Sequence, residues 1–262
     1  MGVIRSFVGV IALFVALSAN AGYIVPCGEP ECSVSFSVFV DGSTEEAGGG
    51  MLWYDAETGE ISLDTNNIRG GGMMNQETQG IMWNFDDGSQ FAVNSLYGNA
   101  DPILGFGLGA STGSSAKTFA VTFDLPIALE GPIDASSSIS YSLTSTTEAG
   151  AQITPLNGKV LTAFEVDSDI GGLGVLNKGV DAGDTFGFVG GPQTQNSSVY
   201  TASNTITGDL AYDLMTAQIA FSLSANSNVG ISGFVQQVPV PLPASLPLIL
   251  AGFALLGFIK RR

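Results

Sequence analysis

The chain contains no histidine. That absence removes Ser-His-Asp and Cys-His catalysis, histidine metal sites and the commonest general base together. Cysteine is nearly absent as well, with only Cys27 and Cys32. Two thiolates without histidine leave a four-ligand zinc site incomplete, and a nucleophilic cysteine has no imidazole to activate it. Cations are scarce: 8 Lys and Arg stand against 24 Asp and Glu, for a formal net charge of −16. Such a chain repels nucleic acid and anionic membranes, so neither is an expected partner. Four of the cations, Arg5, Lys260, Arg261 and Arg262, sit at the two ends, and every acid lies between them. The interior also holds few stretches with helical periodicity.

What is present instead is alternation. Ser33-Val34-Ser35-Phe36-Ser37-Val38-Phe39 places polar and apolar side chains by turns, and Asp41-Gly42 follows as a turn. Thr118–Leu125, Ser138–Leu143 and Gln218–Ser224 carry the same period of two, which sends one set of side chains to a core and the other to water. Gly80–Phe85, Asp87-Gly88 and Gln90–Val93 predict a hairpin. Together with 35 glycines, these runs predict an all-β fold, an antiparallel β-sandwich of the jelly-roll kind. A β-solenoid is the alternative, but no fixed repeat period supports it. Gly48-Gly49-Gly50 and Gly70-Gly71-Gly72 read as turns, and Gly109–Ser115 and Pro192–Ser198 as loops. Gly105-Phe106-Gly107-Leu108-Gly109 lacks the spacing of a nucleotide loop and reads as a strand with glycines on its exposed face.

The two ends describe export. Met1–Ala21 combines Arg5, an apolar run from Phe7 to Leu17 and a small-x-small close at Ala19-Asn20-Ala21, as a signal peptide does. At the other end, Leu246–Ile259 has no charged side chain, Ser245 caps it, Pro247 sits in its first turn, and Lys260, Arg261 and Arg262 follow. This segment is expected to be a single transmembrane helix with its cations held in the cytoplasm as a stop-transfer signal. The expected organisation is therefore 1–21 signal peptide, 22–235 sandwich ectodomain, 236–245 proline-rich spacer, and 246–262 helix with a basic tail. The alternating prolines of the spacer favour an extended, stiff segment. In an oxidising compartment Cys27 and Cys32 are expected to form a small-loop disulfide.

The tail resembles the PEP-CTERM class of sorting signals of Gram-negative bacteria, in its VPLPA variant. The matching residues are Val240, Pro241, Leu242, Pro243, Ala244 and Ser245, then the apolar helix and the terminal cations. Leu242 stands where that class usually has Glu. The resemblance covers about the last tenth of the chain. It implies recognition by an exosortase-type membrane protease, an inner-membrane-anchored precursor, removal of the tail, and delivery to the cell surface or an exopolysaccharide matrix.

Functional residues in the body are harder to name. Asp167, Asp169, Asp181 and Asp184 place close carboxylates on Gly-rich loops and are the candidate calcium ligands. Asx turns beside strands account for the same residues. No other cofactor is expected. Trp53-Tyr54 and Trp83 are candidate platforms for stacking on sugar rings, although their strand-like settings equally suit a core, and the 16 Phe read as core. Glycoside hydrolysis needs two facing carboxylates, and nothing in the sequence selects a pair. The expectation is a non-enzymatic, exported structural protein of the surface or matrix. The alternatives are a carbohydrate-binding module and, behind it, a carboxylate-based glycan hydrolase.

Overall fold

The computed structural model describes residues 35–40, 48–54, 60–69, 72–74, 80–99, 103–129, 132–167, 174–177, 179–207 and 212–240. The expected signal peptide, the Asp41-Gly42 turn, Cys27, Cys32, Asp169 and everything from Pro241 to Arg262 lie outside these residues. Among the described residues no helix is long and apolar enough to cross a membrane.

The described residues form strands. In chain order they begin with β1 (Ser35–Val40), β2 (Gly48–Tyr54), β3 (Ile61–Arg69), β4 (Met73–Met74), β5 (Ile81–Asn84) and β6 (Gln90–Asn99). Next come β7 (Ile103–Ser111), β8 (Lys117–Leu129), β9 (Ile133–Ser145), β10 (Ala151–Pro155), β11 (Leu161–Asp167) and β12 (Gly174–Asn177). The last five are β13 (Phe186–Phe188), β14 (Gln193–Asn196), β15 (Tyr200–Ile206), β16 (Tyr212–Leu223) and β17 (Ser227–Pro239).

All pairings are antiparallel and sort into two layers. The first runs β4–β5–β6–β7–β17–β9, with β14 and β15 sharing the far side of β9. The second runs β3–β2–β1–β8–β16, with β10 and β11 sharing the far side of β16 and β13 and β12 beyond them. The layers join where β3 meets β6, at Ile61↔Gly98 and Ser62↔Tyr97. At the opposite margin the Ser137 hydroxyl of β9 donates to the Val180 carbonyl, which lies between β12 and β13.

The period of two explains what fills the space between the layers. On β8, Phe119, Val121, Phe123 and Leu125 are buried, while Thr118, Ala120, Thr122 and Asp124 face outward and stay partly accessible. On β9 the inward set is Ile133, Ala135, Ser137, Ile139, Tyr141, Leu143 and Ser145. Aromatic rings stitch one layer to the other: Phe36 meets Trp83 edge-on at 6.1 Å, Phe91 stacks on Phe119 at 5.9 Å, and Phe106 stacks on Phe123 at 6.2 Å. Each buried ring of this kind contributes about 1.5–3 kcal/mol by leaving water, plus a smaller amount from ring geometry.

The hairpin expected at Asp87-Gly88 forms between β5 and β6, with Trp83↔Phe91 and Asn84↔Gln90 in register. Gly88 takes φ +81 and donates to the Phe85 carbonyl, the positive-φ position that a three-residue hairpin loop requires.

Five expectations need correction. Gly109–Ser115 is not all loop, because Gly109, Ala110 and Ser111 close β7 against Gly230, Val229 and Asn228. Gly48-Gly49-Gly50 is not a turn but the start of β2, drawn into the sheet by pairing with Val38, Ser37 and Phe36. Pro192–Ser198 is not all loop: Gln193–Asn196 forms β14 against Ser142–Ser145, with Pro192 just ahead of the strand, where its missing N–H breaks no ladder. The sheet does not end at Val235, because β17 stays paired to β9 through Pro239↔Ile133, so Gln236–Pro239 belong to the body rather than to a free spacer. Phe39 is not core; it lies on the outward side of β1, 48% exposed.

Candidate functional site

The outward face of the first layer carries the most distinctive surface. Its composition follows from the strand period. On β9 the outward residues include Ser138, Ser140, Ser142 and Thr144; on β17 they are Asn228, Gly230, Ser232 and Phe234; on β7 they are Gly105, Gly107, Gly109 and Ser111. Register places them in rows across the sheet. One row reads Asn196, Ser142, Gly230, Gly109, Ala92, and the next reads Ser140, Ser232, Gly107, Ser95.

The glycines at the centre of these rows make a floor, and the longer side chains on either side make walls. Two adjoining open depressions result, of about 400 and 430 Å³. Both are lined by Asn94, Ser142 and Gly230, so together they form one trough. Glycine acts differently at each floor position. A Cβ at Gly230 would meet only the Ser142 Cβ, at 3.9 Å, so that position is open. At Gly107 it would stand 2.5 Å from the Ser95 Oγ, and at Gly105 it would strike the ring of Tyr97, 2.0 Å from Cζ.

Asn94 sits where the two depressions meet because the β6–β7 register slips between Val93 and Ser95. The extra residue is left out of the ladder and its side chain is re-aimed, which is what a β-bulge does beside many functional sites. Its Nδ2 leans over Gly109. Ser140 and Ser232 are linked through their hydroxyls at 3.1 Å, and Thr144 and Thr194 at 2.7 Å, which fixes part of the wall. At one end stands Tyr97, 55% exposed, its ring tip covering Gly105, with Phe234 across Gly105 in the same row.

Among the described residues no charged side chain lines either depression. The donors and acceptors offered there are hydroxyls and carboxamides, which exchange hydrogen bonds with a neutral ligand without stripping water from an ion.

The residues named from the sequence fall elsewhere. Trp83 is buried between Phe36 and Phe91, which excludes it as a stacking platform. The backbone of Trp53 and Tyr54 is in β2, and their side chains lie outside the described residues. Of the calcium candidates, Asp181 accepts from the Ala163 N–H at 3.3 Å and Asp184 pairs with the Lys159 ammonium at 2.5 Å. Asp167 ends β11 opposite Gly174. Among the described residues no group of three or more Cys, Asp or Glu side chains comes together. Asn94, Ser142 and Gly230 were not singled out from the sequence. The signal available was Gly105-x-Gly107-x-Gly109 beside Gly230-x-Ser232, two outward glycine sets whose adjacency only pairing reveals.

Among the described residues, two groups titrate away from their ordinary values. Lys117, and behind it Ser89, hold the Asp87 carboxyl far below the usual carboxylate range. Burial pushes the Tyr141 hydroxyl upward, with Tyr200 and Asp184 adding to the effect. Neither hydroxyl nor carboxyl projects into the trough.

Neither a protein-family model nor a curated protein sequence matches the chain. Among solved structures, the enzymatically active domain of tailspike protein 4 from bacteriophage CBA120 aligns at 16% identity and TM-score 0.24, over 52% of this chain but only 16% of that one. TmCBM61, solved with β-1,4-galactotriose, aligns at 9% identity and TM-score 0.25, over 61% of this chain and 87% of that one. TmCBM27, a mannan-recognising carbohydrate-binding module, aligns at 9% identity and TM-score 0.22, over 56% and 75%. At these scores none of the three bears on what the trough holds.

Proposed function

We propose that the sandwich body is a non-enzymatic module that binds a neutral polysaccharide along the trough of its first layer. The observation that supports this is the trough itself: an open, glycine-floored surface walled by Ser, Thr, Asn and Gln, with no charge among the described residues of its lining, in a chain whose formal charge is −16. A polyhydroxylated ligand matches such walls group for group, and water bridges what direct contact does not reach. Tyr97 supplies an aromatic face at one end, against which a sugar C–H face packs. Hydrolysis finds no support there, since among the described residues no carboxylate lines either depression and the glycosidic reaction needs two.

Binding is tested by calorimetry or affinity electrophoresis against neutral glucans, galactans and mannans, with an anionic polyuronate alongside. Gly230→Thr is the matched variant, because it raises the floor where the fold has room for a side chain. Binding to at least one neutral polymer, weakened about ten-fold or more by Gly230→Thr, a loss of roughly 1.4 kcal/mol or more, is the expected result. Equal binding by wild type and variant rules the trough out.

Delivery belongs to the same proposal. The export signal at 1–21 and the Val240–Ser245 motif would carry the module to the outer surface or matrix, with an exosortase-type protease removing the tail. Mass spectrometry of the mature C-terminus tests this: a chain that still ends in Lys260-Arg261-Arg262 in the exported fraction overturns the processing step.

A further inference from the structure

Asparagine followed by glycine occurs once in the chain, at Asn157-Gly158. The pair forms the tip of the turn between β10 and β11, and both residues are exposed. Gly158 takes φ +84, a conformation that glycine adopts without strain, and Asn157 and Lys159 pair across it. A Cβ at Gly158 would meet nothing within 4 Å, so the space around this residue is open. The turn is anchored at its two shoulders. The Leu156 N–H donates to the Ala220 carbonyl at 3.3 Å, and the Val160 N–H to the Gly183 carbonyl at 2.9 Å. Between them the tip is free: among the described residues, neither the Asn157 carboxamide nor the Gly158 N–H has a hydrogen-bond partner.

That freedom matters because the backbone nitrogen after an asparagine is the group that can attack the asparagine's own carboxamide. A hydrogen bond or a strand ladder that holds this N–H in place withdraws it from the reaction. Three other asparagines, Asn94, Asn196 and Asn226, are followed by serine, the next least crowded neighbour present. In each the fold engages the following residue. The Ser227 N–H donates to the Thr112 hydroxyl at 3.1 Å, and the Ser197 N–H to the Tyr141 carbonyl at 2.9 Å. Ser95 is paired with Gly107 in the β6–β7 ladder. The structure therefore protects three such sites and leaves the fourth, which carries the least hindered nucleophile, open to solvent.

We propose that Asn157 is a site of spontaneous, backbone-assisted deamidation. The Gly158 nitrogen gives its proton to water and bonds to the Asn157 Cγ. The Cγ–Nδ2 bond breaks, the side-chain nitrogen leaves as ammonia, and a five-membered succinimide remains. One water then opens the ring. Opening on the side-chain carbonyl leaves an aspartate, and opening on the main-chain carbonyl leaves an isoaspartate, whose backbone runs through the side-chain carbon. The balance is amide plus water giving acid plus ammonia, with no redox partner. Either product adds a carboxylate two residues from Lys159, whose ammonium already pairs with Asp184 at 2.5 Å, and makes an acidic chain more acidic. The inference is independent of the glycan reading.

Timed peptide mapping of the full chain by mass spectrometry tests it, with one sample kept native in mildly alkaline buffer and a second held in urea. In the native sample, amide-to-acid conversion at Asn157 should run about ten-fold or more ahead of Asn94, Asn196 and Asn226, a barrier difference of about 1.4 kcal/mol. In urea the rate at Asn157 should change little, because the fold does not hold its reacting groups, while the three Asn-Ser rates should rise. Enzymatic methylation of isoaspartate should label the aged native chain, and Asn157→Gln, which would have to close a six-membered ring, should lose that label. A native Asn157 that converts no faster than the Asn-Ser sites overturns the inference. So does a native rate about ten-fold or more below the rate in urea, or a label that survives Asn157→Gln.

Discussion

Gly230 and Gly233 lie three residues apart on β17 and have opposite meanings. A Cβ at Gly233 would stand 2.3 Å from the Ser138 carbonyl oxygen and 2.8 Å from the Phe106 ring, so that glycine serves packing. A Cβ at Gly230 meets nothing closer than 3.9 Å. Glycine in a strand gives up about 0.5–1 kcal/mol relative to alanine, and threonine suits strands better still. Gly230→Thr is therefore expected to melt no lower than wild type, and Gly233→Ala to melt lower. A stabilised Gly230 variant that loses ligand would mark the residue as kept for the trough rather than for the fold. Asp87 offers a second test at this scale. Its carboxylate accepts from the Lys117 ammonium at 2.7 Å and from the Ser89 hydroxyl and N–H at 2.5 and 3.0 Å. Its folded value lies below the ordinary 3.9 or so, so the stabilisation is present above that pH and is lost as pH falls through the folded value. The Asp87 side chain is 37% exposed, so solvent screening limits the pair to under about 1 kcal/mol. In pH-dependent denaturation, the gap between wild type and Asp87→Asn should be level near neutrality and close below about pH 4.

At the scale of elements, β17 is the member that most alters the reading of the sequence. The alternating prolines after Val238 suggest a spacer, yet the strand stays paired to β7 through Gln236 and to β9 through Pro239. Pairing overrides the local signal because Gln236, Gln237, Val238 and Pro239 have partners waiting in Ser136, Ala135, Asp134 and Ile133. A chain that stops after Pro239 should match wild type in urea denaturation. One that stops after Val235 gives up four paired positions and should lose about 2–4 kcal/mol, at roughly 1 kcal/mol for each net backbone hydrogen bond. Equal stability of the two chains would show that the end of β17 adds nothing. The hairpin of β5 and β6 is the reverse case. Asp87-Gly88 between alternating runs is a local instruction, and the structure follows it, with Gly88 at φ +81. The bulge at Asn94 was not legible, because Phe91–Tyr97 has no residue that demands a slip; the mismatch arises only when β6 is laid against β7.

For the whole molecule, charge and shape divide the surface. Acidity keeps anionic polymers apart from the chain at long range, while no charged side chain among the described residues lines the trough. Binding carried by hydroxyls and carboxamides should accordingly be almost insensitive to salt, because ions screen charges and not neutral hydrogen bonds. Affinity for a neutral glycan that falls steeply between low and high salt would move the site off the trough. What the sequence by itself determined was the chemistry denied to this protein and the side of each strand that meets the core: the missing histidine excludes whole mechanisms, and a period of two is a property of the chain alone. What only the tertiary structure decided was which outward residues stand together. Asn94, Ser142 and Gly230 come from β6, β9 and β17, far apart in sequence, and their meeting depends on strand order and register between distant segments. Local periodicity tells a residue which way to point; it does not tell it what will lie beside it.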